Sequence, residues 1–524
     1  MAVDPITTTV FVLLYIGITL VIGYMGYRQT KNSDDYLVAG RNSHPIVIAL
    51  SYGATFISTS AIVGFGGVAA NLGMGLIWLT VLNVGLGILI AFVVFGKKTR
   101  EIGQRLNAFT YPDLMGKIYK SPLMQYISGM IIVVSMPLYT AAILIGGARF
   151  LEPTLNLPYN YALLIFAAIV ALYVVFGGLI AVMYTDAFQG LIMLVGMSVL
   201  LVLTYVYLGG VTAAHTTLTS MSDLVPSTLA AQGMTGWTSM PSLGSPIWWT
   251  LISTLVLGVG IGVLAQPQLV VRFMTAKDDK SLNRAVAMGA PWLLMMTGVA
   301  FTVGALTNVY FYQQTGKLAI DAAGGNVDAI IPVYINMAMP DIFVIIFMLT
   351  LLSAAMSTLS GLYHAMGTAL ICDIWGRGRA CALSMKANQI GVIIMMVASV
   401  ALAFVMPTNI IARATAMFMG LCAAAFLPAF AAAVYARNPS KSAALWSMVS
   451  GAVVWFFWTA FIHAAESKPL GLCQLLFGMP ALLPLPWTVI DPIIIALPTS
   501  AVIMVLIQWQ SGRQKSSGSA ATAE

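Results

Sequence analysis

The sequence is a succession of long apolar runs, and that pattern narrows most what it can fold into. Thirteen stretches are long and apolar enough to cross a bilayer: near 8–28, 44–71, 75–96, 122–149, 159–177, 184–208, 246–272, 285–312, 342–372, 387–406, 410–436, 443–464 and 486–508. About 20 such residues in a helix span the hydrocarbon, where only helices or closed barrels satisfy the backbone. Charged residues make up 8% of the 524 positions, against about a quarter in soluble domains. The chain therefore reads as an all-α polytopic membrane protein with the lipid bilayer as its first partner.

The basic residues test this count. With the N-terminus outside, 20 of the 24 Lys and Arg fall on inside segments, and Arg149, Lys317, Arg413 and Lys468 fall outside. The net charge of +7 thus reports topology, and no nucleic-acid partner is expected. The expected location is the plasma membrane, multi-pass, with the N-terminus outside and the C-terminus cytoplasmic. The first run has no basic region before it and reads as a retained helix, not a cleaved signal. Cys372, Cys381, Cys422 and Cys473 are scattered, with no CxxC pair, and read as small core residues. The polar tail from Gln510 is expected to be disordered.

One apolar run carries too many hydroxyls to pass without comment. Ser353, Ser357, Thr358 and Ser360 lie within eight positions of the run at 342–372. Two readings are open. Hydroxyls and small residues can simply glue helices together. Alternatively, the adjacent Ser357 and Thr358, with the Ala354 carbonyl one turn before them, can offer oxygen to a small hard cation.

Two runs look interrupted. The run at 44–71 holds Gly53 among Ser51, Thr55, Ser58, Thr59 and Ser60, then Gly64, Gly66 and Gly67. The run at 246–272 holds Gly258, Gly260 and Gly262, then Gln266-Pro267-Gln268. Glycine frees the backbone and proline removes a donor. With the run at 8–28 set aside, the two are the first and sixth of ten core helices, an odd offset that gives opposite orientations. Interrupted helices at matching places in two inverted halves point to a transporter site.

Several stretches, in order, resemble the sodium:solute symporter family, including its proline and pantothenate carriers. They are Asp35-Tyr36-Leu37-Val38-Ala39-Gly40-Arg41, Gly146-Gly147-Ala148-Arg149, Phe176-Gly177-Gly178 through Tyr184-Thr185-Asp186, Gln266-Pro267 through Arg272-Phe273, and Ala354 through Ser360. The resemblance covers roughly residues 5–440 and implies a LeuT-type fold of two inverted five-helix repeats with about thirteen transmembrane helices. On that reading residues 1–43 form a peripheral helix and link. Repeat one spans 44–208 and repeat two 246–437, with an extracellular loop at 209–245 between them. Two further helices occupy 438–509, and 510–524 is the cytoplasmic tail. The implied activity is no enzyme reaction. It is sodium-coupled symport of a small organic solute, of the amino acid or short carboxylate class, into the cell by alternating access. The implied sodium ligands are the carbonyls of Ala54, Ile57 and Ala354 and the hydroxyls of Ser357 and Thr358.

Asp186 has two readings: a helix N-cap, or, as in some relatives, part of a second cation site or sodium exit path with Ser360. Gly361 stands where a further hydroxyl would help. The solute pocket departs from the family's proline carriers. Phe56 replaces an aspartate, Val259 and Val263 replace an aromatic pair, and Tyr139 matches; a small, fairly apolar pocket is expected. His364 is a lone intramembrane histidine, either functional or a bridge between helices. Glu152, Asp341, Asp373 and Asp491 are expected at the interfaces. A proton-coupled carrier on the same fold remains an alternative, relaying through Asp186 or His364. More distant are a channel and an intramembrane hydrolase built on Ser360 and His364. The working unit is expected to be a monomer or a weak oligomer.

Overall fold

A computed structural model describes residues 5–31, 33–174, 178–376, 385–407 and 409–521, all helical or irregular with no named strand. Phe176, Gly177, Arg377, Arg379 and Cys381, used above, lie outside these residues, as do the last three positions of the tail.

The first helix, α1 (Pro5–Gln29), faces outward along most of its length. Thr8, Tyr15, Thr19 and Gly26 are its buried points. Tyr15 accepts a hydrogen bond from Ser353 Oγ at 3.0 Å. The next helix is split in two. His44 caps α2 (Pro45–Phe56), with Pro45 in the first turn, where no amide is needed. Ile57 then turns extended (φ −83°, ψ 103°). The chain restarts as α3 (Ser60–Leu72), bent by 54° from α2. Four hydroxyl residues near the break offer the backbone local alternatives to the helix ladder.

A run over 77–105, α4, is helical throughout but passes through two π turns, Asn83–Ile88 and Ala91–Gly96. After the short α5 (Tyr111–Ile118) come α6 (Pro122–Leu155), α7 (Tyr159–Val174) and α8 (Leu179–Tyr207). The stretch after α8 contains short helices, among them Val211–Ser220. It docks on the end of α3, where Trp237 Nε1 donates to Ala70 O at 2.9 Å.

In the second half, α9 (Pro246–Met274) is interrupted as α2–α3 is, though without so sharp a bend. It runs from a π turn over Thr250–Gly258 into a 3-10 turn at Val263–Ala265. Gln266 is extended, and Pro267 starts its second half. Then follow α10 (Asp279–Thr315), α11 (Ile330–Ala338) and α12 (Asp341–Trp375). The last helices are α13 (Lys386–Val405), α14 (Ile411–Tyr435), α15 (Lys441–Phe461) and α16 (Ile493–Ala521). Of all the candidate spans, α12 has the most buried apolar window, at 83%. It packs against α2, α6, α8 and α13.

Among the described residues, ten helices are long and apolar enough to cross a membrane, eleven with the bent α2–α3 pair counted as one span. The other two expected spans correspond to the π-interrupted α4 and the short α7. Where composition predicts disorder from Gln510, α16 continues to Ala521. Cys422 and Cys473 are buried and free, but Cys372 is disulfide-bonded.

Candidate functional site

The break between α2 and α3 lies against the middle of α12. There, hydroxyls from one element meet carbonyls from the other. Ser357 Oγ lies 2.8 Å from Ala54 O and 3.2 Å from Ala354 O. Thr358 Oγ1 lies 2.9 Å from Ala354 O, 3.3 Å from Ala54 O and 3.5 Å from Ile57 O. All five residues are buried. The five oxygens expected from the sequence therefore converge at one place. They hold only two hydrogens among them, those of the hydroxyls, against three carbonyls with two lone pairs each. The cluster is rich in acceptors and poor in donors. A monovalent cation answers that imbalance, and the neutral donor set suits one charge better than two.

A second polar centre lies one turn further along α12. Asp186 is fully buried within α8, eight residues past its Gly178 cap. It is therefore no helix cap, because α8 starts earlier than the hydropathy pattern suggested. Ser51 Oγ and Thr55 Oγ1 donate to Asp186 Oδ2 at 2.8 and 3.2 Å. Ser360 Oγ reaches Oδ1 at 3.3 Å. The counter-ion is Arg272, 2% exposed, whose NH2 lies 3.0 Å from Asp186 Oδ2. Its Nε donates to Ser51 Oγ at 3.1 Å, NH1 to Gln268 O at 2.8 Å, and NH2 also to Thr55 Oγ1.

Sequence reasoning counted Arg272 as an inside basic residue and missed this role. Its signal was position: it follows Pro267 by one and a half turns, on the second half of an interrupted helix. His364 Nε2 lies 3.2 Å from Tyr36 O, so it joins α12 to the segment before α2.

The expected solute residues meet in part. Phe56, Tyr139 and Val259 line a cavity of about 20 Å³, room for about one water. Val263 does not line it. The helix tightens into the 3-10 turn at that residue, and its side chain is aimed at Gly87 of α4. The cavity is completed by Ser58, Asn83, Phe301 and Met419, among others. Tyr139 stacks on Phe418 at 5.4 Å and 14°. Asn83 was missed. It is 2% exposed, and its Oδ1 has no partner among the described residues. A lone amide in an apolar run was its only signal.

A larger cavity of about 320 Å³ lies where the end of α3 meets the starts of α9 and α14, with Asp328, Arg413, His463 and Glu466 on its wall. Glu466 pairs with His463. Asp328 accepts from Ile410 N at 3.1 Å, and burial pushes its carboxyl up to about 6, against the pull of that amide and of Arg413. Asp491, expected at an interface, is likewise buried and raised to about 6. Asp373, also expected at an interface, is buried and held by Thr110 Oγ1 at 3.0 Å and Gln125 Nε2 at 2.7 Å. Glu152 is half-buried beside Arg149, and Asp341 is exposed.

The sequence profile of the Sodium:solute symporter family matches residues 36–451. The chain is 30% identical over 502 residues to a sodium/proline symporter of Staphylococcus aureus, covering 91% of this chain and 90% of that one. It is 28% identical over 495 residues, with the same coverage, to sodium/proline symporter 2 of Staphylococcus saprophyticus. Among solved structures, a Na+-coupled sialic acid symporter in a substrate-bound, outward-open state superposes with a TM-score of 0.72. That match covers 96% of both chains at 15% identity.

Two measurements follow from this geometry. Removing one partner of a buried ion pair strands the other charge and costs about 3–5 kcal/mol. In sodium-free buffer, Arg272→Met is therefore expected to lower the melting temperature, and Asp186→Leu added to it should restore most of the loss. Equal melting of the single and double variants would show the two charges to be uncoupled. At the larger cavity, the raised Asp328 carboxyl contributes stability below its unfolded value that is lost as pH climbs through about 6. Asp328→Asn keeps an acceptor but cannot ionise. Its melting temperature relative to wild type should shift in its favour from pH 4 to pH 8; a constant difference would contradict the assignment.

Proposed function

The chain belongs to the sodium:solute symporter family, and on that premise we propose that sodium sits in the oxygen cluster between the α2–α3 break and α12 and that the solute sits beside it. The activity is sodium-coupled symport of a small organic solute, with Na+ as the coupling ion and no enzymatic step. The fold is the all-helical, LeuT-type one, with the two repeats assigned to 44–208 and 246–437.

One observation carries the placement of the ion. Five buried oxygens from Ala54, Ile57, Ala354, Ser357 and Thr358 converge with two hydrogens among them. Sodium bound there would tie α2 and α3 to α12 and hold the break at one angle. Phe56 lies between the two ligating residues of the break, and its ring lines the small cavity. The ion's backbone cage and the solute's wall are then the same few residues. Linkage requires each ligand to raise the other's affinity by one factor. Tyr139, Val259 and Asn83 line the rest of that cavity, which must widen from room for about one water to admit the solute, and the Asn83 amide oxygen is open to an N–H or O–H of it. The relatives' names, together with this apolar wall and few polar groups, favour an amino acid or short carboxylate. The Phe56 ring in place of the acid of the family's proline carriers makes proline itself less suited.

For Asp186 and Ser360, an exit path is the better supported role. A narrow cavity of about 20 Å³, lined by Arg272, Gly361, His364, Gln268 and Thr110 among others, adjoins their cluster. Asp186 is held by Arg272 and the His364 ring is tied to Tyr36, which disfavours either as a free proton relay. The basic-residue bias supports an N-terminus outside and a cytoplasmic C-terminus in the plasma membrane. Because the ion and solute residues lie within one chain, a monomer suffices.

Ser357→Ala with Thr358→Ala removes two of the five oxygens. Purified and refolded into liposomes, that variant should bind no measurable 22Na+, while wild type binds it; wild-type affinity would refute the site. Phe56→Ala should weaken uptake of the transported amino acid or carboxylate by on the order of 1–3 kcal/mol in solute affinity. Sodium binding without solute should change much less. Unchanged solute affinity with reduced folded yield would make Phe56 a packing residue.

A further inference from the structure

The cluster around Asp186 has the makings of a second cation site, yet it already holds a cation. Its oxygens are the Asp186 carboxylate, the hydroxyls of Ser51, Thr55 and Ser360, and the carbonyl of Ser357. Thr55 Oγ1 and Ser360 Oγ approach that carbonyl to 3.3 and 3.0 Å. Every one of these residues is fully buried. One carboxylate, three hydroxyls and a carbonyl would make a good sodium cage. What enters it is the Arg272 guanidinium, with NH2 on Asp186 and Thr55 and Nε on Ser51.

We infer that Arg272 is a tethered cation occupying the place of a second sodium ion, so that the protein binds one sodium per chain. The inference rests on the sodium site proposed above, and it concerns the ion count only. Three physical points support it. A buried carboxylate can balance one positive charge, and a sodium added beside the guanidinium would be uncompensated in a medium that penalises lone charge. Arginine does not lose its proton in a protein, so it cannot vacate the charge by titration. Finally, α12 is cut away to admit it. A Cβ at Gly361 would lie 3.0 Å from Arg272 NH2, 3.4 Å from NH1 and 2.9 Å from the Thr55 methyl. A side chain at 361 would push the Thr55 methyl and crowd the guanidinium, and this chain carries the glycine and the arginine together.

The test counts ions with 22Na+ alone, on the purified full-length protein in detergent, by scintillation proximity against protein concentration. Wild type should saturate at one sodium per chain. Arg272→Gln with Gly361→Ser removes the tethered charge and adds a hydroxyl to the cage. That variant should saturate at two, and adding Asp186→Asn to it should return the count to one. A purely structural ion pair would alter melting but leave the count where it was. Two sodium ions on wild type overturn the inference without any variant. A folded Arg272→Gln, Gly361→Ser protein that still binds one also overturns it. Arg272→Lys, which keeps the charge, should stay at one, and a rise to two there counts equally against it. Failure of the main site looks different: the Ser357→Ala, Thr358→Ala protein would then keep its sodium whatever stands at 272.

Discussion

A helix cannot be interrupted inside hydrocarbon unless something replaces the hydrogen bonds it gives up. At the α2–α3 break, the carbonyls of Ala54 and Ile57 leave the helix ladder with no water to receive them. Ser357 and Thr358 face them from α12 with two hydrogens for too many lone pairs. The rest of the core can be understood as packing that keeps this mismatch in place. The helix carrying the hydroxyls is the most buried of the spans. Its neighbours α2 and α8 bring Ser51, Thr55 and Asp186 against it. A dry, incompletely satisfied polar cluster is costly unless a charge completes it, and that need is what makes such a break useful.

The two polar centres are not independent. Ser357 turns its hydroxyl toward the break and its carbonyl toward the Asp186 cluster. Thr55 sits between Ala54 and Phe56 in sequence and bonds to the ion pair. One turn of α12 and one turn of α2 therefore serve both. A buried ion pair is weak evidence for stability, since well-packed apolar residues often do as well. The Arg272–Asp186 pair makes more sense as a fixture of the ion-handling region than as a fastener.

The sequence carried much of this on its surface, for identifiable reasons. Hydrocarbon thickness sets span length, so most helices could be located from apolar runs. The break in α2–α3 showed as glycine and hydroxyls where a span should be continuous, and Ser357-Thr358 showed as adjacent hydroxyls in an apolar run. Other features had no local signature. Arg272 pairs with a residue 86 positions away, which composition cannot reveal. Val263 was placed in the cavity because it matches one of an aromatic pair in the family's proline carriers, but at the tighter turn over Val263–Ala265 its side chain meets Gly87 instead. Asp186 looked like a cap because the start of α8 was set by hydropathy; the helix begins at Leu179. Asp373 and Asp491 do stand at span ends, but polar neighbours from elsewhere in the chain bury them there, which position in the sequence does not reveal.

The first helix looked like an accessory, outward-facing and outside both repeats. Tyr15 changes that description. Its hydroxyl receives the Ser353 hydroxyl, and the Ser353 carbonyl in turn lies 2.8 Å from Ser357 Oγ. The same ring hydroxyl points at the sulfur of Met356. From a surface otherwise coated by acyl chains, two side chains suffice to reach the turn of α12 that faces the break. The annulus of lipid around α1 is thus a near neighbour of the innermost chemistry of the protein.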